Sequence, residues 1–134
     1  MALRDKKQIT KNNSFPQSLR HALDGLGRLI KEERNFRFDV IISLIVIIFG
    51  IIFQLGINDW LWLTVAMFTV LGSEAVNSIV ENVVDLIVDH QFNLLAKRAK
   101  DIAAGGVLLS AIFAIIVGGL VFVPAVIQYF HIGG

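Results

Sequence analysis

Five polar residues recur at helical spacing in a largely apolar stretch: Glu74, Asn77, Ser78, Glu81 and Asp85. At about 100° per residue they fall within an arc of roughly 100°. A line of carboxylates and amides therefore runs down one helix face, and Val76, Ile79, Val80, Val83 and Val84 take the rest. Glu74 follows an apolar run that ends at Gly72, which places it inside a membrane or near its boundary. An unpaired carboxylate there is costly, so it must be paired, protonated or functional. The plain reading is a structural glutamate satisfied between helices. The chemical readings are a general base, a cation ligand or a proton relay. Glu81 lies nearer to water. With oxygen donors only and no cysteine in the chain, the line suits a hard ion such as Mg²⁺.

A second group is Lys97-Arg98-Ala99-Lys100-Asp101, in which Lys97, Lys100 and Asp101 share a face by i, i+3, i+4 spacing. The group is expected at the start of a helix, where ammonium groups and N-terminal amides both attract phosphate. By itself it also reads as a solvated membrane anchor. Beside a carboxylate line it gains weight, because phosphate–Mg²⁺ chemistry needs both signs of charge. A third group, Glu32-Glu33-Arg34-Asn35-Phe36-Arg37, alone reads as a charged helix end at an interface. The sequence holds no GxxxxGK[ST] loop, no GxGxxG, and no HRD or DFG signature. His21, His90 and His131 are isolated and form no metal-ligand pair. A nucleotide site would have to be built from helix faces. No nucleic-acid partner is expected.

The elements that position these residues must be membrane helices. The 134-residue chain is 55% hydrophobic, with a mean hydropathy of +0.70. One soluble domain of that size lacks the core volume to hide so much apolar surface. The polar first 39 residues do not read as a signal peptide, and the chain is expected not to be secreted. Residues 1–13 read as a flexible basic tail. A basic amphipathic surface helix is expected over 14–34, with Ser14 and Gln17 as a capping box and Pro16 in its first turn. Helices are expected over about 38–57, 61–89 and 100–128, with a tight turn at Gly56-Ile57-Asn58-Asp59. Trp60 and Trp62 then lie at an interface. The whole is one all-α integral membrane domain, residues 1–134.

Nine of the twelve Lys and Arg precede Val40, and Lys97, Arg98 and Lys100 lie between the second and third spans. That bias puts the N-terminus and the second connection in the cytoplasm and the C-terminus outside. Gly106, Ser110, Ala114 and Gly118 form a stripe of small residues, expected to pack closely. Three spans make a thin bundle with few inward positions for carboxylates, which favours a homo-oligomer.

The three polar groups together resemble the prokaryotic diacylglycerol kinase family, over roughly residues 15–124. The stretch from Glu74 to Asp85 is similar to that family's E-x-x-N-[ST]-x-x-E-x-x-x-D signature, Ala99-Lys100-Asp101-Ile102-Ala103-Ala104 continues it, and Glu33-Arg34-Asn35-Phe36-Arg37 is similar to a further block. The resemblance implies a homotrimer in the bacterial cell membrane, with three spans, a surface helix and active sites shared between subunits. It implies Glu74 as catalytic base, Asn77 as the amide beside it, and Glu33 and Glu81 as ligands of the Mg²⁺ on ATP. Lys100 and Asp101 would place the phosphates and nucleotide, and Asp85 would add a nucleotide contact. Ala103-Ala104-Gly105-Gly106 stands where the diacylglycerol-specific branch tends to carry a serine. That tail, with Glu33-Arg34-Asn35-Phe36-Arg37, looks more like the Gram-positive branch, whose members phosphorylate undecaprenol. The expected reaction is therefore ATP-dependent phosphorylation of undecaprenol, with diacylglycerol as the alternative acceptor. An ion- or proton-conducting subunit would explain the carboxylates but not the Lys-Asp group. A membrane adaptor would need neither.

Overall fold

The computed structural model describes residues 14–132. They form four α-helices: α1 (Phe15–Glu32), α2 (Arg34–Ile52), α3 (Ile57–Val88) and α4 (Leu94–Ile132). No strand occurs among the described residues. α2, α3 and α4 are each long and apolar enough to cross a membrane, so the chain is an all-α, multi-pass membrane protein. The basic tail expected over 1–13 lies outside the described residues.

α1 is amphipathic and buries none of its residues. Its first turn carries Pro16, but Ser14 makes no side-chain cap bond, so the expected capping box does not form. Ser18 Oγ instead donates to the Ser14 carbonyl at 3.2 Å. α1 and α2 meet at Glu33 alone, an extended residue (φ −96°, ψ 110°) that ends one helix and starts the next. The Arg37 guanidinium donates back to the carbonyls of Ile30 (3.2 Å) and Lys31 (2.8 Å). It satisfies acceptors that the end of α1 leaves open.

α2 begins at Arg34, ahead of the expected position near 38, and stops at Ile52 rather than 57. The stop is a Schellman turn: Leu55 N–H donates to Gly50 O and Gln54 N–H to Ile51 O, both at 3.1 Å, with Gln54 left-handed at φ 51°. The turn therefore lies at Phe53–Gly56, not at residues 56–59, and Gly56 is the N-cap of α3. α3 ends in two successive left-handed residues, Asp89 (φ 49°) and His90 (φ 57°). α4 starts at Leu94, six residues before the expected position. Asn93 Oδ1 caps it, accepting from Leu95 N–H (2.9 Å) and Ala96 N–H (3.2 Å).

α3 and α4 pair antiparallel along their length. A core of Leu63, Ala66, Val117 and Val121 closes the end away from their connection, with Val46 and Phe122 against it. The Trp60 ring abuts Gly50, where a Cβ would sit 2.7 Å from it. That contact fixes α2 to α3. The small-residue stripe of α4 packs only in part. Ser110 is buried, whereas a Cβ at Gly106 or Gly118 would meet nothing within 4 Å. Among the described residues only Phe36, Leu63, Ala66, Val117 and Val121 are buried apolar side chains. The remaining apolar surface faces outward, as it must in lipid or against other copies of the chain.

Candidate active site

The polar line of α3 is one unbroken helix face, and it is buried where α2 and α4 flank it. Glu74 is 3% exposed, Asn77 6% and Ser78 3%. Ser78 Oγ donates to the Glu74 carbonyl at 3.1 Å, which removes its hydroxyl from competition for the carboxylate. Asn77 Nδ2 donates to Glu81 Oε1 at 3.1 Å. Its Oδ1 is buried with no partner among the described residues. A buried amide oxygen left open is costly and is filled when a donor arrives. Glu81 itself is exposed.

α2 supplies the opposite wall. Counting from the ends joined by the α2–α3 turn, Asn35 is 17 residues from Ile52 and Glu74 is 17 residues from Ile57. Both lie roughly 26 Å along their helices at 1.5 Å per residue. Asn35 comes within reach of the Glu74 carboxylate at that level, and Asp39, Glu81 and Glu33 are the charged residues around it. The hydrocarbon layer is about 30 Å thick, so this level is near its boundary. Sequence reasoning quoted Asn35 without giving it a role, and it missed Asp39. The signal for Asp39 was a lone carboxylate on the first turns of an apolar helix.

The cationic group sits higher. Lys100 Nζ binds Asp85 Oδ1 at 2.6 Å, joining α4 to α3. Lys97 pairs with Asp101 on the exposed face of α4. These residues line a recess of about 540 Å³ at the α3–α4 connection, together with His90, Gln91 and Phe92. Because α4 starts at Leu94, Lys100 and Asp101 lie in its second turn, away from the terminal amides expected to share a phosphate with them. Asp85 lies eleven residues beyond Glu74, roughly 16 Å along α3. Glu74, Glu81 and Lys100 therefore do not meet at one depth within a chain. The carboxylates form one cluster and the Lys100–Asp85 pair another.

Among the described residues no three His, Asp or Glu side chains converge as a closed metal cage. Glu33 and Glu81 still fit an ion that arrives with a nucleotide. Magnesium keeps several waters and takes only one or two protein carboxylates beside phosphate oxygens.

Comparison with known proteins gives these clusters a context. The family described as "Prokaryotic diacylglycerol kinase" matches residues 20–122. The undecaprenol kinase of Bacillus subtilis is 37% identical over 112 residues, 84% of this chain and 90% of that protein. A diacylglycerol kinase of Synechocystis is 37% identical over 111 residues, 83% of this chain and 63% of its own length. A diacylglycerol kinase of Helicobacter pylori is 32% identical over 103 residues, 77% of this chain and 80% of that protein. The match spans all three membrane helices and both polar clusters, and the chain belongs to the prokaryotic diacylglycerol kinase family, as a multi-pass membrane lipid kinase.

Proposed function

We propose that this chain transfers the γ-phosphate of ATP to the hydroxyl of undecaprenol, giving undecaprenyl phosphate, with Glu74 as general base. The observation that carries the reading is the Glu74 carboxylate. It is 3% exposed, has no ion-pair partner among the described residues, and sits at boundary depth beside an unsatisfied Asn77 oxygen. A lipid alcohol reaches that depth sideways from the bilayer. Its hydroxyl proton passes to Glu74 as its oxygen attacks the γ-phosphorus, and the bond to ADP breaks. Likeness to the Bacillus undecaprenol kinase over 90% of that protein supports the acceptor, as does the Ala103-Ala104-Gly105-Gly106 tail.

Lys100, Asp101 and Asp85 hold the nucleotide, and Asn77, beside Glu74, offers its open Oδ1 to the incoming lipid hydroxyl. Glu33 and Glu81 would hold magnesium, which neutralises phosphate charge when bound. Docked phosphate exchanges with Asp85 for the Lys100 ammonium. The nine basic residues before Val40, and the three between α3 and α4, support a cytoplasmic nucleotide face in the bacterial cell membrane with the C-terminus outside. α1 lies on that face with its apolar side in the interface. The separation of the two clusters along one chain, and the few buried apolar residues, support a homotrimer whose sites are shared between subunits.

The test is a parallel assay of the purified protein with ATP, Mg²⁺ and either undecaprenol or diacylglycerol. Faster labelling of undecaprenol is expected. Preference for diacylglycerol would overturn the acceptor, and no labelled lipid of either kind would overturn the reaction.

A further inference from the structure

The reaction above uses Glu33 but not Arg37, which grips the backbone around it. Glu33 alone joins α1 to α2, so the angle between the two helices depends on its two soft torsions. Packing does little to hold that angle, because α1 buries none of its residues. Hydrogen bonds hold it instead. The Glu33 N–H donates to the Leu29 carbonyl at 3.1 Å, and the Glu33 carbonyl accepts from the Arg37 N–H at 3.2 Å. Arg37 Nη1 then reaches past Glu33 and donates to the carbonyls of Ile30 at 3.2 Å and Lys31 at 2.8 Å. Those two bonds take both hydrogens of Nη1. One arginine on the first turn of α2 thus holds the last turn of α1 across the hinge. Glu33 meanwhile occupies the N-cap position of α2 and makes no side-chain cap bond. Its carboxylate is left for another partner.

We propose that Arg37 is a positioning residue for the Glu33 carboxylate, and that its clasp on α1 lets Glu33 hold the divalent cation of a metal–nucleotide. The ψ of Glu33 sets where its Cβ points relative to α2, and the clasp fixes that torsion. Magnesium demands near-ideal octahedral geometry at about 2.0–2.1 Å. A modest turn about ψ therefore carries the carboxylate out of the coordination shell. Groups that orient a metal ligand matter nearly as much as the ligand itself. Arg37 acts through Glu33 and not on the phosphates, so it matters for the metal and not for the nucleotide without it.

This inference rests on Glu33 being a metal ligand. The experiment measures Mn²⁺, a paramagnetic stand-in for Mg²⁺, binding to the full chain in detergent with a non-hydrolysable ATP analogue, by electron paramagnetic resonance. Calorimetry measures binding of the same analogue without metal. The wild type is compared with Arg37→Met, Glu33→Gln and the double variant. Arg37→Met should weaken Mn²⁺ binding roughly tenfold and leave binding of the metal-free analogue unchanged. Where Arg37→Met does not fold, Arg37→Lys, which keeps the charge but lacks the rigid fork, is read by the same criteria. The double variant should bind Mn²⁺ no more weakly than Glu33→Gln, because the clasp then has no ligand to position. Unchanged Mn²⁺ binding in Arg37→Met overturns the proposal. Losses that add, or an equal loss for the metal-free analogue, put Arg37 on the phosphates and overturn it too. Glu33→Gln separates the two readings. Unchanged Mn²⁺ binding there removes Glu33 as a ligand and the clasp with it, whereas a loss in Glu33→Gln but not in Arg37→Met removes only the clasp.

Discussion

At the scale of single residues, chemistry in this chain depends on polar groups that the bundle buries without fully satisfying. Glu74 is the sharpest case. Glu74→Gln keeps the side-chain volume and removes the proposed base. Turnover should fall by roughly 10²-fold or more, on the usual scale for acid–base groups, while the variant elutes from gel filtration as the wild type does. Lys100 belongs to the other cluster, and Lys100→Met should act differently. It removes the ammonium that Asp85 holds at 2.6 Å, so the KM for ATP should rise roughly tenfold or more, with little change in acceptor KM. Equal effects on both substrates would mean that Lys100 only braces α3 against α4. Both residues were legible in the sequence: carboxylates seven and four apart (Glu74, Glu81, Asp85) in an apolar helix have few structural uses, and Lys100 belongs to a cationic group that follows that line. Asn35 and Asp39 were not read as part of the site. Their meaning depends on which α2 residues lie level with Glu74, and the length of the α2–α3 turn sets that register.

At the scale of elements, the helices were legible and their ends were not. Hydropathy marks where a helix can live in lipid, but capping and turn geometry decide where it stops. Asn93 starts α4 inside a run that reads as a polar loop, and Gln54 takes the left-handed position usually given to glycine. The same geometry yields two stability tests. A side chain at Gly50 would place its Cβ 2.7 Å from Trp60, so Gly50→Val should destabilise the α2–α3 pair by about 1–3 kcal/mol. The thermal midpoint in detergent measures it, and an unchanged midpoint would mean that the Trp60 ring simply swings away. Asp89 sits at φ 49° on the exposed end of α3. Glycine takes that conformation without steric cost, so Asp89→Gly should raise stability by about 0.5 kcal/mol, net of the added freedom of the unfolded chain.

At the scale of the whole molecule, one chain places Glu74 roughly 16 Å along α3 from Asp85, the residue that holds Lys100. A triphosphate together with the Lys100 and Glu74 side chains that reach toward it can span such a gap within one subunit, or a neighbouring subunit can bring its own Lys100 alongside Glu74. The exposed outer face of α3, with Val76, Ile79, Val83, Leu86 and Ile87 turned outward, leaves surface for such a neighbour. Mixing two impaired variants, assayed at an ATP concentration far below the raised KM of Lys100→Met, decides between these arrangements. Glu74→Gln chains keep Lys100, and Lys100→Met chains keep Glu74. Co-reconstituted in equal amounts with random assortment, a shared site is intact when a Lys100→Met chain supplies Glu74 and its Glu74→Gln neighbour supplies Lys100. Each choice has even odds, so about a quarter of the sites in a closed symmetric oligomer recover. Lipid phosphorylation should rise to about that fraction of wild type after mixing from the dissociated state, and should stay at the level of the separate variants when the oligomers are mixed already assembled. If each site is complete within one subunit, every site in the mixture carries one defect, and no protocol restores activity.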